Sequence, residues 1–134
     1  MFPWRSWWRR WFGSRSERAA AAFLRRLGYR LVAHNVRNHA GELDLIALDG
    51  RTIVFVEVRS TEQESVLEPG ESIDPRKQEK LTRAALVWLK EKQLLDHPAR
   101  FDAVLVAWPA QASEPHLVHV RQAFEAIGRG QMYR

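Results

Sequence analysis

The sequence predicts one α/β domain in which a central sheet is covered by helices on both sides. Helical and strand-like segments follow one another in the order helix, three strands, helix, strand, strand. The strands of the central hairpin are apolar on both faces, which is typical of a sheet that forms a middle layer. The length of 134 residues fits one such domain. We predict that the domain comprises residues 14–134 and follows an arm of residues 1–13.

The arm is rich in tryptophan and arginine. It can lie on a membrane surface, stack on nucleic-acid bases, dock on another protein or cover its own domain, and these alternatives stay open. It also lies within the most basic part of the chain, because residues 1–18 carry five arginines and one glutamate. The remaining residues carry 16 basic and 15 acidic side chains, so most of the net charge of +5 comes from residues 1–18. Four tryptophans of the arm share the spacing of one helical face, namely Trp4, Trp7, Trp8 and Trp11.

The first helix and the strands are predicted from local patterns. Ser14 and Glu17 form a capping box that predicts a helix from Arg15. Gly28 stands where a left-handed cap would end this helix. The strand-like runs are residues 29–36, 42–48, 52–59, 101–108 and 117–120, and a short final helix is predicted over residues 122–127.

Two dipeptides mark the hairpin turn and the second helix. Asp49-Gly50 lies between two strand-like runs and predicts a two-residue hairpin turn. Asp74-Pro75 combines a favourable N-cap with a proline at the first helical position. We therefore predict a second helix that runs from there to about Gln93.

Composition excludes several classes of protein. The absence of cysteine excludes disulfides, thiolate zinc sites and thiol nucleophiles. No apolar run approaches the ~20 residues that span a bilayer, and none follows the basic N-terminus as in a secretory signal. We therefore expect a cytoplasmic location. The histidines show no metal-ligand spacing and are predicted to be surface or turn residues; they are His34, His39, His97, His116 and His119.

Three acidic residues are predicted to converge at the open end of the central hairpin. With the turn given above, Asp44 pairs with Phe55 and Glu42 pairs with Glu57, and these side chains project from one face together with Arg59. Like charges held together and partly buried are destabilising unless they share a cation. Oxygen ligands without cysteine favour Mg²⁺ or Mn²⁺. The alternative is an ordinary solvent-exposed sheet face.

Basic residues of the second predicted helix are also arranged. Arg76, Lys80, Arg83 and Lys90 fall within about 80° of one another around the helix axis. A basic stripe beside an acidic metal site is what binding of a phosphate backbone requires. Nucleic acid, with DNA favoured, is therefore the predicted partner, although a solvated helix face fits the same pattern.

The segments GELDLIA (Gly41–Ala47) and VFVEVR (Val54–Arg59) resemble the YraN-type family of predicted bacterial endonucleases. The resemblance continues through DPRKQEKLTRAA (Asp74–Ala85) and RFDAVLV (Arg100–Val106), and it covers the chain from about Glu17 to Phe124. This family is similar to the restriction-endonuclease-like, PD-(D/E)xK superfamily, near the archaeal-type Holliday-junction resolvases. The resemblance implies a three-layer sandwich with a mixed sheet. It also implies a metal-dependent endonuclease that acts on nucleic acid, including branched or damaged DNA.

The resemblance implies roles for individual residues. Asp44 matches the metal-binding aspartate, and Glu57 matches the glutamate of the ExK element. Glu42 matches the acid of the family's GE-x-D-L motif. Glu17 matches a glutamate of the first helix that reaches the metal site, with helix capping as the alternative. Arg59 stands where the ExK element has lysine; arginine cannot act as a general base, but it can stabilise charge developing on a phosphate.

The remaining matches concern nucleic-acid binding and a second candidate function. Lys77 and Gln78 match a K-Q pair of the family, and Asp102 of the RFD motif is expected to support the site or to cap the sheet edge. Because Arg59 replaces lysine, a non-catalytic nucleic-acid-binding or protein-interaction module is the alternative function. The predicted nucleic-acid-binding residues are Arg76, Lys77, Gln78, Lys80 and Arg83.

Overall fold

The structure, a computed structural model, describes residues 15–61, 73–109 and 113–126. The tryptophan-rich arm and the serine of the predicted capping box lie outside the described residues. The described elements follow the predicted order. They are α1 (Arg15–Arg26), β1 (Arg30–Asn38), β2 (Gly41–Asp49), β3 (Thr52–Thr61), α2 (Pro75–Glu91), β4 (Ala99–Ala107) and β5 (His116–Phe124).

The five strands form one mixed sheet in the order β1-β2-β3-β4-β5. Strands β1, β2 and β3 pair antiparallel, β4 runs parallel to β3, and β5 runs antiparallel to β4. A parallel pair needs a crossover connection, and the connection between β3 and β4 contains α2. The predicted α/β class and element order are therefore confirmed.

The two helices cover opposite faces of the sheet. Alternate residues of β3 enter different clusters, because Ile53 and Phe55 pack on the α2 side while Val54 and Val56 pack on the α1 side. On the α2 side, the rings of Phe55 and Trp88 meet edge to face with centroids 5.9 Å apart. The prediction of a hairpin that is apolar on both faces is thus confirmed.

The helix ends follow the local signals in the sequence. After α1, Gly28 adopts φ +96°, and the N–H of Tyr29 donates to the Leu24 carbonyl at 3.0 Å, as in a Schellman cap. At the start of α2, the Asp74 side chain accepts a hydrogen bond from a backbone N–H of the first turn at 2.8 Å, next to Pro75. Neither α1 nor α2 is long and apolar enough to cross a lipid bilayer.

The hairpin turn lies one residue later than predicted. Asp49 pairs with Thr52, so the two turn residues are Gly50 and Arg51. Gly50 has φ +62°, whereas Arg51 does not have a positive φ, which is the type II′ pattern with glycine first. The predicted turn would have required a positive φ at Asp49 as well. Every pairing of the hairpin therefore shifts by two residues, which leaves each side chain on its predicted face.

The predicted short helix over residues 122–127 is wrong over residues 122–126, because β5 continues through Phe124; residue 127 lies outside the described residues. Phe124 pairs with Phe101, and their rings stack with centroids 4.5 Å apart. Gln122 adopts φ +51° at an irregularity of the ladder, where its backbone N–H donates to Asp102 at 2.9 Å. Pairing and burial against β4 thus override the local helix preference.

Candidate metal centre and basic cleft

The observed register brings Asp44 next to Glu57. The β2–β3 ladder ends with the pair Leu45 and Val56, so that extending the register places Asp44 opposite Glu57. The Asp44 side chain then takes the place of a ladder bond, because its Oδ2 accepts a hydrogen bond from the backbone N–H of Val58 at 2.9 Å. The two carboxylates therefore meet where β2 leaves β3.

Asp44 and Glu57 form a pair of like charge that is largely removed from solvent. Glu57 is 6% exposed, and Asp44 is partly buried. Burial, followed by the negative charge of Glu57, raises the pKa of Asp44 from 3.8 to about 7, against the opposing effect of the hydrogen bond from Val58. A buried carboxyl group whose pKa is raised by a neighbouring carboxylate is typical of metal-binding and catalytic sites. Their oxygen atoms fit Mg²⁺ or Mn²⁺.

A lysine of α2 contacts this pair. Lys77 Nζ lies 2.6 Å from Glu57 Oε2. This hydrogen bond is the main cause that raises the pKa of Lys77, while the positive charge of Arg59 acts in the opposite direction. Lys77 lies in the first turn of α2, where the helix dipole disfavours a cation. The contact with Glu57 offsets that cost and makes Lys77 part of the candidate centre.

The acid pair opens into a cleft of about 480 Å³ between the hairpin end and the start of α2. A second cleft of about 390 Å³ is lined by His39 and Arg83 together with apolar side chains. The β1–β2 turn docks on α2, since Asn38 Nδ2 donates to the Ala84 carbonyl at 3.1 Å. The charged residues that line the first cleft are the acids Glu42, Asp44, Glu57 and Asp74 and the bases Arg76, Lys77 and Lys80.

The other two predicted acids, Glu42 and Glu17, make different contributions to the site. Glu42 lines the cleft, but its Oε2 lies 2.5 Å from Arg37 Nε. Glu17 acts on Asp44 through its negative charge, which contributes to the raised pKa of Asp44. Among the residues that the structure describes, no three Asp, Glu or His side chains form a group able to hold a metal ion. Of the three acids predicted to converge, the structure brings Asp44 and Glu57 together, while Glu42 lines the same cleft and pairs with Arg37.

Two of the predicted nucleic-acid-binding residues, Gln78 and Arg83, form hydrogen bonds within α2 and its N-terminal flank. Gln78 Nε2 donates to the Ile73 carbonyl at 2.6 Å, at the start of α2. Arg83 Nη2 donates to Glu79 Oε1 at 2.5 Å, one helical turn away. The basic wall of the first cleft is therefore formed by Arg76, Lys77 and Lys80.

Asp102 lies on the opposite face of the sheet, in a buried ionic network. It is fully buried, and it accepts a hydrogen bond from Arg100 Nε at 2.9 Å and lies 2.8 Å from His119 Nε2. Arg100 also donates to Tyr29 Oη at 2.6 Å. Burial acts to raise the pKa of Asp102, but the hydrogen bonds from His119, Arg100 and Gln122 lower it overall. Asp102 therefore neither touches the acid pair nor caps a sheet edge.

The prediction that all histidines lie at the surface or in turns is wrong for two of them. His34 is 8% exposed and His119 has a side chain that is 9% exposed. His119 meets the rings of Phe23 and Tyr29 edge to face, with centroids 6.0 and 5.7 Å apart. The burial of His119 had a signal in the sequence: Asp102 is a charged residue inside the apolar run of β4, and such a residue requires a buried partner.

The chain is similar to relatives that are named UPF0102 protein. It is 43% identical to one from Geotalea uraniireducens over 113 residues, which is 84% of this chain and 88% of the relative. It is 44% identical to one from Rhodopirellula baltica over 124 residues, which is 90% of this chain and 74% of the relative. A relative from Geobacter sulfurreducens is 41% identical over 113 residues, 84% of this chain and 88% of the relative.

The family model of the uncharacterised protein family UPF0102 matches residues 16–106, which is more than half of the chain. The matched segment contains Asp44, Glu57 and Lys77 and also the buried pair Arg100 and Asp102. The acid pair, its lysine and the Arg100–Asp102 pair thus lie within the matched region, whereas His119 and the arm lie outside it. This chain belongs to the UPF0102 family.

Proposed function

We propose that this protein is a divalent-metal-dependent endonuclease that hydrolyses phosphodiester bonds of nucleic acid, with DNA as the favoured substrate. The observation that carries the proposal is the buried pair of Asp44 and Glu57 at a cleft whose other wall is basic. Carboxylates of this kind suit a hard divalent cation, and the lysine and arginine side chains suit phosphates. The resemblance to the YraN-type family assigns the same two acids to the metal.

In this proposal, Asp44 and Glu57 hold Mg²⁺ or Mn²⁺, and Glu42 and Glu17 contribute negative charge nearby. The chemistry that such a cation supplies when bound is polarisation of a phosphoryl oxygen and activation of water. Arg59 stabilises negative charge that develops at the scissile phosphate. The phosphates of the strand are bound by Arg76, Lys77 and Lys80.

We further propose that the fold is restriction-endonuclease-like, as the resemblance implies. Two features support this assignment: the acids lie at the end of the β2–β3 hairpin, and the next helix crosses over to a parallel strand. Action on branched or damaged DNA and a cytoplasmic location belong to the same proposal.

A nuclease assay with Mn²⁺ tests the proposal on duplex, single-stranded, flap and four-way-junction DNA. We expect the wild type to cut at least one substrate, and we expect Asp44→Asn and Glu57→Gln to abolish cutting while keeping the side-chain shapes. Asp96→Asn removes an exposed acid away from the cleft and serves as the matched control. Equal cutting by the wild type and both site variants would show that the activity comes from a contaminant and would refute the proposal.

A non-catalytic binding module for nucleic acid or protein is the second candidate function. Arg59, in the position where the ExK element has lysine, favours this candidate because it cannot accept a proton. Calorimetry with Mn²⁺ separates the two functions. Salt-sensitive DNA binding that survives Asp44→Asn, without heat of metal binding, would favour the module, whereas metal binding that Asp44→Asn removes would favour the endonuclease.

A further inference from the structure

Glu57 has a positive partner that comes from a different element of the fold. Its side chain is 6% exposed, and Lys77 Nζ lies 2.6 Å from its Oε2. A buried carboxylate that loses its cation is strongly destabilising, so the lysine stabilises the acid pair. A divalent cation at the same pair needs the oxygen atoms of Glu57 as ligands. Lys77 and the divalent cation therefore compete for one carboxylate.

Lys77 has a second position available. Its side chain is 55% exposed and lines the cleft beside Arg76 and Lys80. Lysine carries its charge on a flexible stem of four carbons, so the ammonium group can leave Glu57 without movement of α2. The first turn of a helix also favours anions. A phosphate group in the cleft is thus the alternative partner for the released ammonium group.

We propose that Lys77 couples the two ligands: it pairs with Glu57 until a divalent cation takes that carboxylate, and it then binds a phosphate of the nucleic acid. The inference rests on the proposed function for the identity of both ligands. While Lys77 pairs with Glu57, the acids repel a phosphate and the ammonium group is not available to bind one. Once a divalent cation binds the acids, their charge is neutralised and Lys77 is available to bind a phosphate. Linkage then requires that metal and nucleic acid raise each other's affinity by the same factor.

Binding measurements test the inference without reference to cleavage. Calorimetry at pH 8 gives the affinity for Mn²⁺ alone, and fluorescence anisotropy gives the affinity for a labelled duplex with and without Mn²⁺, with the duplex checked for integrity on a gel. Lys77→Met removes the charge and keeps most of the stem. Lys80→Met is the matched control, because it removes one charge from the same cleft without removing the contact to Glu57.

We expect Lys77→Met to bind Mn²⁺ roughly 10- to 100-fold more tightly than the wild type, because the metal no longer displaces a charge-assisted hydrogen bond. Lys80→Met should bind Mn²⁺ within about threefold of the wild type. Mn²⁺ should raise the DNA affinity of the wild type and of Lys80→Met by similar factors, and that of Lys77→Met by a smaller factor.

Three results would overturn the inference. They are unchanged or weaker Mn²⁺ binding by Lys77→Met, an equal metal-induced gain in DNA affinity for the wild type and Lys77→Met, and absence of Mn²⁺ binding in both proteins. If Lys77→Met does not fold, Lys77→Gln takes its place: it removes the charge but keeps a neutral donor for Glu57, so it should still bind Mn²⁺ more tightly than the wild type, by a smaller factor. The expected binding pattern without any cleavage would support the coupling and refute the endonuclease alone.

Discussion

Replacing Asp44 by asparagine is expected to stabilise the metal-free protein. Asparagine has the same shape, and its side-chain oxygen can still accept the hydrogen bond that Asp44 accepts from the N–H of Val58 at 2.9 Å. It carries no negative charge against Glu57. The substitution therefore removes the cost of burying the Asp44 charge and its repulsion by Glu57, and it leaves the hydrogen bond at the end of the hairpin in place.

The size of the gain follows from the pKa of Asp44, which is raised from 3.8 to about 7. The unfolded chain loses this proton near pH 4, whereas the folded protein keeps it until about pH 7. The folded state therefore binds more protons between these values, and its stability falls as the pH rises through them. The loss is complete above about pH 7, where the pKa difference corresponds to about 4 kcal/mol.

Urea denaturation of the wild type and Asp44→Asn in EDTA measures this gain. We expect the variant to be more stable by about 4 kcal/mol at pH 8 and by about 1 kcal/mol at pH 4.5. Asp96→Asn, at an exposed position, should leave the stability unchanged at both values. Equal stability of the wild type and Asp44→Asn at pH 8, or a gain that is the same at both pH values, would refute the unfavourable burial of the Asp44 charge beside Glu57.

Three further predictions concern the buried network, the hairpin turn and the basic cleft. Asp102→Asn should lower the free energy of unfolding in urea by about 3–5 kcal/mol, because it removes the fully buried carboxylate partner of Arg100. Arg100 also lies 3.0 Å from Asp49, whose side chain is 36% exposed, so Asp49→Asn should cost about 1 kcal/mol or less; equal losses would contradict the network. Gly50→Ala should lower the free energy of unfolding by about 1–2 kcal/mol in thermal melts, because φ is +62° there. An added Cβ would meet no neighbouring atom, so the loss comes from the backbone angle alone, and unchanged stability would contradict the turn type. Lys80→Met should reduce the slope of log K against log salt for DNA by about one in an anisotropy series, and Lys90→Met at the far end of α2 should reduce it less; identical slopes would place the DNA elsewhere.

Much of the fold was predictable because it depends on interactions between near neighbours in the chain. Gly28 marks the end of α1 through its positive φ, and Asp74 marks the start of α2 through a side chain that accepts a backbone hydrogen bond. The alternation of side chains along β2 and β3 placed Asp44 and Glu57 on one face. Because the period of a strand is two residues, an error of two in the pairing register did not change that placement.

The pairing register of the hairpin depends on which two residues form the turn, and the amino-acid sequence fits two different turns. A turn with Asp49 and Gly50 at its centre and a turn with Gly50 and Arg51 at its centre both contain the same glycine, and they differ in which backbone angles are positive. The second turn, which the structure shows, pairs Asp49 with Thr52. That difference decided which acid lies opposite Glu57.

The sequence by itself determined the order of the elements, the faces of the strands and the two acids of the candidate centre, since these follow from periodicity and capping over a few residues. The tertiary structure alone decided that Lys77 reaches Glu57 and that Asp102 joins Arg100 and His119 on the opposite face. The physical reason is that Lys77 and Glu57 lie on different elements, as do Asp102 and His119. The distances between these side chains depend on how α2 packs on the sheet and how β5 pairs with β4, and no local pattern of side chains specifies either arrangement.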